Sequence, residues 1–292
     1  MSPILQDANR KQIAGRRKKD VIMHLAFIVA TSIGVFALCA LIIDILVDGL
    51  SRLQPELFTN FPSRRADGSG MKSAIVGSIY MLLIMLPVSF ILGVGAAIYL
   101  EEYASKNRFT RLVQLNISTL AGVPSIVYGI LGLTLFVRLM ALERSLIAGA
   151  FTMTLLVLPI IIVSAQEAIR AVPKSRRDAS FALGATKWQT VSRSVIPSSI
   201  SGILTGVILA MSRAIGETAP LVMIGAMTYI NFLPNGLKDS FTVMPIQIYN
   251  WISKPQLAFK ELAASGIIVL LALLLIMNLT AILLRNKYQK NV

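Results

Sequence analysis

Six stretches of this chain stay mostly apolar for about twenty residues or more, the length a helix needs to cross bilayer hydrocarbon. They run approximately Val21–Val47, Ala74–Leu100, Leu112–Val137, Leu146–Ala165, Ile200–Met227 and Ile267–Leu284. Strands of a transmembrane barrel would read as short alternating segments, which these are not. Composition closes off the soluble alternatives: with 55% hydrophobic and only 14% charged residues, the chain cannot clothe a soluble domain in polar surface. The same apolar content excludes a disordered chain, and a single cysteine, Cys39, excludes a disulfide scaffold. The expected fold class is all-α, a polytopic membrane protein with about six transmembrane helices. Pro87, Pro124, Pro159 and Pro220 lie within or near the spans, where neighbouring helices can satisfy the carbonyls that proline frees.

The formal charge of +14 would suggest nucleic acid in a soluble protein. Here its placement matters more. An even number of spans puts both termini on one side, and that side carries about twice the Lys and Arg of the other. Such a bias marks the cytoplasmic face, so the basic excess reads as topology and no nucleic-acid partner is expected. The organisation follows. Residues 1–20 form a cytoplasmic basic tail, and residues 21–71 the first span and an outer loop. Residues 72–285 form a core of five spans with a cytoplasmic linker at 167–197, and residues 286–292 a cytoplasmic tail. The first apolar run is too long for a signal peptide and lacks a small-residue cleavage pattern, so it reads as an uncleaved span.

Catalytic chemistry finds no support. No phosphate-cradling Gly-x-x-x-x-Gly-Lys-Ser/Thr loop occurs, and Gly70-Met71-Lys72-Ser73 has the wrong spacing on the outer side. His24 has no second His or Cys to build a metal site with, and Glu101-Glu102 are adjacent and so cannot share a helix face. No catalytic residue, metal or cofactor is expected. Any ATP hydrolysis belongs to a separate subunit.

Three features stand out. Gly202, Gly206, Ala210, Arg213 and Glu217 are spaced 4, 4, 3 and 4, on one side of a helix in the fifth span. Small residues there admit a neighbouring helix, whereas an arginine at mid-bilayer is expensive and by default faces the bundle interior or water. Its planar fork suits an oxyanion such as phosphate; the plainer alternative is an ion pair that only pins two helices. The second feature is Asp178-Ala179-Ser180-Phe181-Ala182-Leu183-Gly184 in the linker, which reads as a short helix stopped by glycine. Its Phe181 and Leu183 either plug a groove in a partner protein or rest on the protein's own helices or lipid. The third is the outer loop 231–265, long enough for re-entrant or docking structure, with Tyr249 and Trp251 expected in the interfacial aromatic belt.

Asp178-Ala179-Ser180-x-x-x-Gly184, with Pro197 thirteen residues on, resembles the EAA-x-x-x-G…I-x-L-P loop of bacterial ABC importer permeases. Asp178 and Ser180 replace the usual Glu and second Ala, and Ser194 and Ile196 replace Ile and Leu. Arg213-Ala214-Ile215-Gly216-Glu217-Thr218-Ala219-Pro220-Leu221 resembles the signature of the phosphate branch, in its PstA-type form. Ala97-Ile98-Tyr99-Leu100-Glu101-Glu102-Tyr103-Ala104 and Ala121-Gly122-Val123-Pro124-Ser125-Ile126-Val127-Tyr128-Gly129 match as well. The resemblance covers about Lys72 to Lys290. It implies a type I ABC importer permease fold in the bacterial inner membrane. It also implies alternating access driven by two separate ATP-binding subunits (PstB type), a homologous second permease (PstC type) and an extracytoplasmic phosphate-binding protein (PstS type). The candidate substrate path comprises Arg213, Glu217 and Thr218, with Ser125 and Tyr128 beside the Pro124 break. The candidate ATPase-coupling surface is Asp178 to Gly184. Two rival functions are a permease for another oxyanion, sulfate or molybdate, and a self-contained channel or secondary transporter.

Overall fold

The computed structural model describes residues 3–226 and 229–289, and every regular element among them is helical. The helices are α1 (Pro3–Leu50), α2 (Pro55–Thr59), α3 (Lys72–Ile98), α4 (Arg108–Leu120), α5 (Ser125–Gly132), α6 (Leu146–Arg170), α7 (Lys174–Ala182), α8 (Lys187–Thr190), α9 (Ile196–Ile215), α10 (Ala219–Ile224), α11 (Met244–Ile252) and α12 (Leu257–Gln289). Wider π-helical turns extend α3 through Tyr99–Tyr103 and α5 through Leu133–Leu139, and join α8 to α9 through Val191–Val195. The predicted end of the fifth span at Met227, Met1 and Ser2 of the basic tail, and Lys290, Asn291 and Val292 of the last one lie outside the described residues.

Five helical stretches are long and apolar enough to cross a membrane: Lys19–Leu50, Lys72–Tyr103, Leu146–Arg170, Lys187–Ile215 and Leu257–Leu283. The third predicted span, Leu112–Val137, is different. It is a broken pair, Arg108–Leu120 and Ser125–Leu139, bent by 106°. Pro124 explains why. It has no N–H to donate, it sits as the N-cap of α5 with ψ 136, and it follows an Ala-Gly-Val segment that closes α4 with tight turns. The fifth predicted span is corrected likewise: α9 stops at Ile215 rather than running on to Met227. Gly216 ends it, Thr218 leaves helical continuity, and Pro220 starts the short α10 at its second position.

The core forms around α6, whose apolar window is 67% buried, the largest share of any span. Helix association in lipid gains little from apolar transfer, because lipid tails are as apolar as leucine, so close packing has to supply it. Small residues do this on α9. A Cβ added at Gly202 would lie 2.8 Å from the Ala168 Cβ, and one at Gly206 would overlap the Ser164 side chain. The Gly202-x-x-x-Gly206 face is therefore pressed against the matching Ser164-x-x-x-Ala168 face of α6. Further along α6, Gly93 of α3 abuts Ile161. The outer loop folds inward as α11, with Trp251 wholly buried among Met71, Ile248 and Phe259. Trp251 thus belongs to the core and not to an aromatic belt; Tyr249, 57% exposed, remains at the surface.

Because Gly206 has no room for a side chain, Gly206→Val is expected to destabilise the bundle by about 1–3 kcal/mol through overpacking. Gly95→Val is the control, since its Cβ would meet nothing within 4 Å. Thermal unfolding in detergent should show a lowered Tm for the first and an unchanged Tm for the second.

Candidate functional site

The antiparallel pairing of α9 with α6 fixes the depth of Arg213. Gly202 lies opposite Ala168 and Gly206 opposite Ser164. Continuing that register puts Arg213 level with Val157, next to the middle residue of α6, Leu158. The arginine is therefore level with the middle of α6, one of the stretches long and apolar enough to cross a membrane, and lies at the last turn of α9. Its Nε lies 3.5 Å from Oε1 of Glu217, a long hydrogen bond made across the end of the helix. The Arg213 side chain is 51% exposed and that of Glu217 20%. A guanidinium has five N–H donors, and this contact uses one of them. The expected stripe is thus present in modified form: Gly202, Gly206, Ala210 and Arg213 are helical, while Glu217 approaches from the break beyond Ile215.

The other sequence-chosen residues converge on the same level. Gly132 of α5 packs on Thr152 of α6, and stepping back along α5 brings Ser125, its first residue, about level with Pro159. Gly129 lies so close to Pro220 that an added Cβ would be 2.8 Å from the Pro220 Cα, which holds α5 against α10. Thr218 is the N-cap of α10 and makes no side-chain capping bond. Tyr128 is buried, and its hydroxyl donates to the Leu120 carbonyl at 2.8 Å, across the break between α4 and α5. The two interrupted helices, one broken at residues 121–124 and the other at 216–218, therefore meet beside the midpoint of α6.

The linker segment is built as its sequence suggests. Asp178, Ala179, Ser180, Phe181 and Ala182 lie in α7, Leu183 is its C-cap, and Gly184 turns away at φ +79. That left-handed conformation is open to glycine and strained for other residues. Leu183 is 90% exposed, and Phe181 is exposed beside it, so neither is sheltered by the chain's own helices. Asp178 is exposed, and Ser180 Oγ lies 2.9 Å from Thr190 Oγ1.

What holds α7 in place was not singled out from the sequence. Arg177 spans three partners: its guanidinium donates to Glu102 Oε1 at 2.7 and 3.1 Å, to the Val172 carbonyl at 2.7 Å and to the Ile169 carbonyl at 3.0 Å. Next to it Arg170 donates to Glu101 Oε1 at 2.6 Å. The adjacent carboxylates at the end of α3 do not share a face, as expected, and for that reason each takes a different arginine. Both pairs seat α7 and the end of α6 on α3. The signal available in the sequence was the Glu-Glu pair itself, in an otherwise apolar helix end.

The Arg177–Glu102 pair is mostly shielded from solvent, with side chains 19% and 11% exposed. Breaking it by Arg177→Met leaves a carboxylate without its partner and is expected to weaken the seating of α7 by about 3 kcal/mol. Hydrogen exchange should show faster exchange across residues 174–184, with no change for Asp178→Asn.

Comparison with known proteins fits this geometry. Residues 89–290 match the family described as binding-protein-dependent transport system inner membrane component. The chain is 34% identical over 269 residues to the probable ABC transporter permease protein YqgI of Bacillus subtilis (strain 168), covering 85% of this chain and 92% of that one. It is 31% identical over 278 residues to the phosphate transport system permease protein PstA of Yersinia pestis, covering 95% and 93%. Among solved structures, a chain of the inward-facing MetNI methionine ABC transporter superposes with a TM-score of 0.60 at 16% identity. That match covers 75% of this chain and 97% of the other, and the likeness is one of fold.

Proposed function

We infer the function of this chain from its family: it belongs to the binding-protein-dependent transport system inner membrane components, and it is the transmembrane subunit of an ATP-driven phosphate importer. The assignment to phosphate is supported by similarity, at about 30% identity over most of the chain, to permeases that carry phosphate transport in their names. The single observation that carries the mechanism is Arg213: an arginine at mid-bilayer depth, half exposed, and held by one long bond to Glu217.

In this reading Arg213 presents its free N–H groups to the phosphate oxygens as the anion passes the break between α9 and α10. Two parallel N–H···O bonds suit the guanidinium fork, and an ammonium in its place would offer only a point charge. Glu217 orients the fork and competes with the anion, which keeps binding weak enough for release. Thr218 and Ser125 supply hydroxyls at the same level. Tyr128, whose donor is committed to Leu120, shapes the wall where α4 gives way to α5.

The energy source is external to the chain. No ATP-cradling loop is present in the sequence, so hydrolysis falls to partner subunits of the PstB type, with a PstC-type permease completing the path and a PstS-type protein delivering phosphate. Asp178 to Gly184 is the surface offered to the ATPase. The exposed Leu183 and Phe181 enter its groove, and the Arg177–Glu102 and Arg170–Glu101 pairs pass its movement to α3 and α6. With both termini cytoplasmic, the ends of α3 and α6 that carry these pairs face the cytoplasm, in line with the bias of basic residues.

In vesicles holding this chain with its partners, Arg213→Ala is expected to abolish ATP-dependent phosphate uptake while the complex still assembles, and Arg213→Lys to lose most of it. Uptake at the wild-type level in either variant would remove Arg213 from the path. For the coupling surface, Leu183→Asp and Gly184→Leu should each release the ATP-binding subunit from the membrane fraction. Undiminished co-purification would mean that the subunits meet elsewhere.

A further inference from the structure

A cavity of about 470 Å³ opens where the end of α3, the first turns of α4 and the end of α6 meet. Its lining includes Lys106, Arg108, Arg111 and Arg170, and the one carboxylate there is Glu101. Arg170 is already neutralised by Glu101 and Glu167. Lys106, Arg108 and Arg111 have no ion-pair partner among the described residues, so the hollow carries a local surplus of positive charge. It sits at the ends of two membrane-crossing stretches, Lys72–Tyr103 and Leu146–Arg170, which is headgroup level.

The helix beside it is patterned for an amphiphile. Arg108, Arg111 and Gln114 recur every three residues of α4 and line the hollow. Phe109, Leu112 and Leu115 form a second stripe one residue further round, and they are 71%, 56% and 62% exposed. The polar stripe thus faces a charged cavity, while the apolar stripe beside it runs away from the headgroup level, open to hydrocarbon. A preference for basic residues on one side of the membrane accounts for the charges, but not for a cavity or for the alignment of the two stripes.

We propose that this cavity binds the headgroup of an anionic phospholipid, such as phosphatidylglycerol, with an acyl chain laid along Phe109, Leu112 and Leu115. The phosphodiester meets three cations that lack counter-ions. A zwitterionic headgroup would bring its own ammonium against them. Inorganic phosphate would fill the hollow but leave the apolar stripe unused. Since Glu101 and Arg170 form one wall, a bound lipid also buttresses the ion pairs on which α7 is seated. The side of the membrane follows the orientation given under the proposed function; the cavity and its ligand do not depend on it.

The test is native mass spectrometry of the full chain, purified in mild detergent with its co-expressed partners and titrated with phosphatidylglycerol or phosphatidylethanolamine. Wild type should bind the first and discriminate against the second. Each basic side chain near an anionic surface is worth about fivefold in affinity, so Lys106→Gln, Arg108→Gln and Arg111→Gln together should weaken phosphatidylglycerol binding by on the order of a hundredfold. If the triple variant does not fold, Arg111→Gln alone should weaken it about fivefold. Removing equal charge elsewhere at this end of the bundle, by Lys174→Gln, Lys187→Gln and Arg193→Gln, should change nothing. Equal binding of the two lipids, or undiminished binding by the variants, would overturn the proposal. Displacement of the lipid by inorganic phosphate would mean a free-phosphate site. Loss of the ATP-binding subunit with lipid binding unchanged would give the surface to that partner. No transport step enters the measurement, so failure of the importer reading would leave it standing.

Discussion

In hydrocarbon, a backbone N–H or C=O without a partner costs several kcal/mol, so a chain that interrupts its helices inside a bilayer must wall the breaks off with protein. This chain interrupts two, between α4 and α5 and between α9 and α10, and sets both beside α6. The rest of the architecture follows from that requirement. Small residues let α9 and α5 approach α6 and α10 closely enough to exclude lipid. The Tyr128 hydroxyl takes up the Leu120 carbonyl at one break, and at the other the Glu217 N–H donates to the Ala214 carbonyl and the Val222 N–H to that of Thr218. The buried share of α6 is high because it backs both interruptions.

A break at mid-depth gives a membrane protein something that a continuous helix cannot: polar groups held at a level where lipid would otherwise forbid them. A charge at that level is costly in hydrocarbon, and Arg213 has Glu217 within reach to offset part of the cost. The same economy of charge recurs at the end of α3, where Glu101 takes Arg170 from the end of α6 and Glu102 takes Arg177 from α7. The two sites differ in tightness. The mid-depth contact is 3.5 Å and half exposed, which suits a group that must exchange partners; the pairs under α7 are 2.6 and 2.7 Å, and the Arg177–Glu102 pair is also the more shielded, which suits a mechanical joint. In the proposed coupling, a movement imposed on α7 would reach α3 and α6 through these pairs.

Much of this was legible in the sequence, for identifiable reasons. The spacing of Gly202, Gly206, Ala210 and Arg213 specifies a helix face, and Gly202 and Gly206 on it pack against α6 as the spacing requires. The glycine stop of α7 needs only the φ that residue 184 adopts. The bend of 106° was not legible in the same way, since Leu112–Val137 has the same apolar content straight or broken, and Pro124 permits a kink without setting its angle. The end of α9 at Ile215 was hidden because Ala219 to Ile224 resumes an apolar helix after three residues. The seating of α7 was missed because it joins residues some seventy-five positions apart, and no local pattern encodes which arginine a carboxylate will find.

Hydropathy itself marks the limit of such reading. The windows of the first span and of α6 have the same mean hydropathy, 2.6, yet the first is 0% buried by the chain and the second 67%. The scale measures transfer from water to an apolar phase, and it cannot tell a neighbouring helix from a lipid tail, because to a leucine they are nearly the same solvent. Among the described residues, the specific contacts of the first span lie at its C-terminal end: Gly49 is packed into α12 where its carbonyl accepts from Ser265 at 2.7 Å, and just beyond it Arg52 bonds Glu261 at 2.9 Å. Those contacts involve a glycine, a serine and two charges, all of which lower hydropathy. In a membrane chain, then, the residues that reveal which helices touch are the ones that the search for spans discounts, and the proposed path and coupling joint are both made of them.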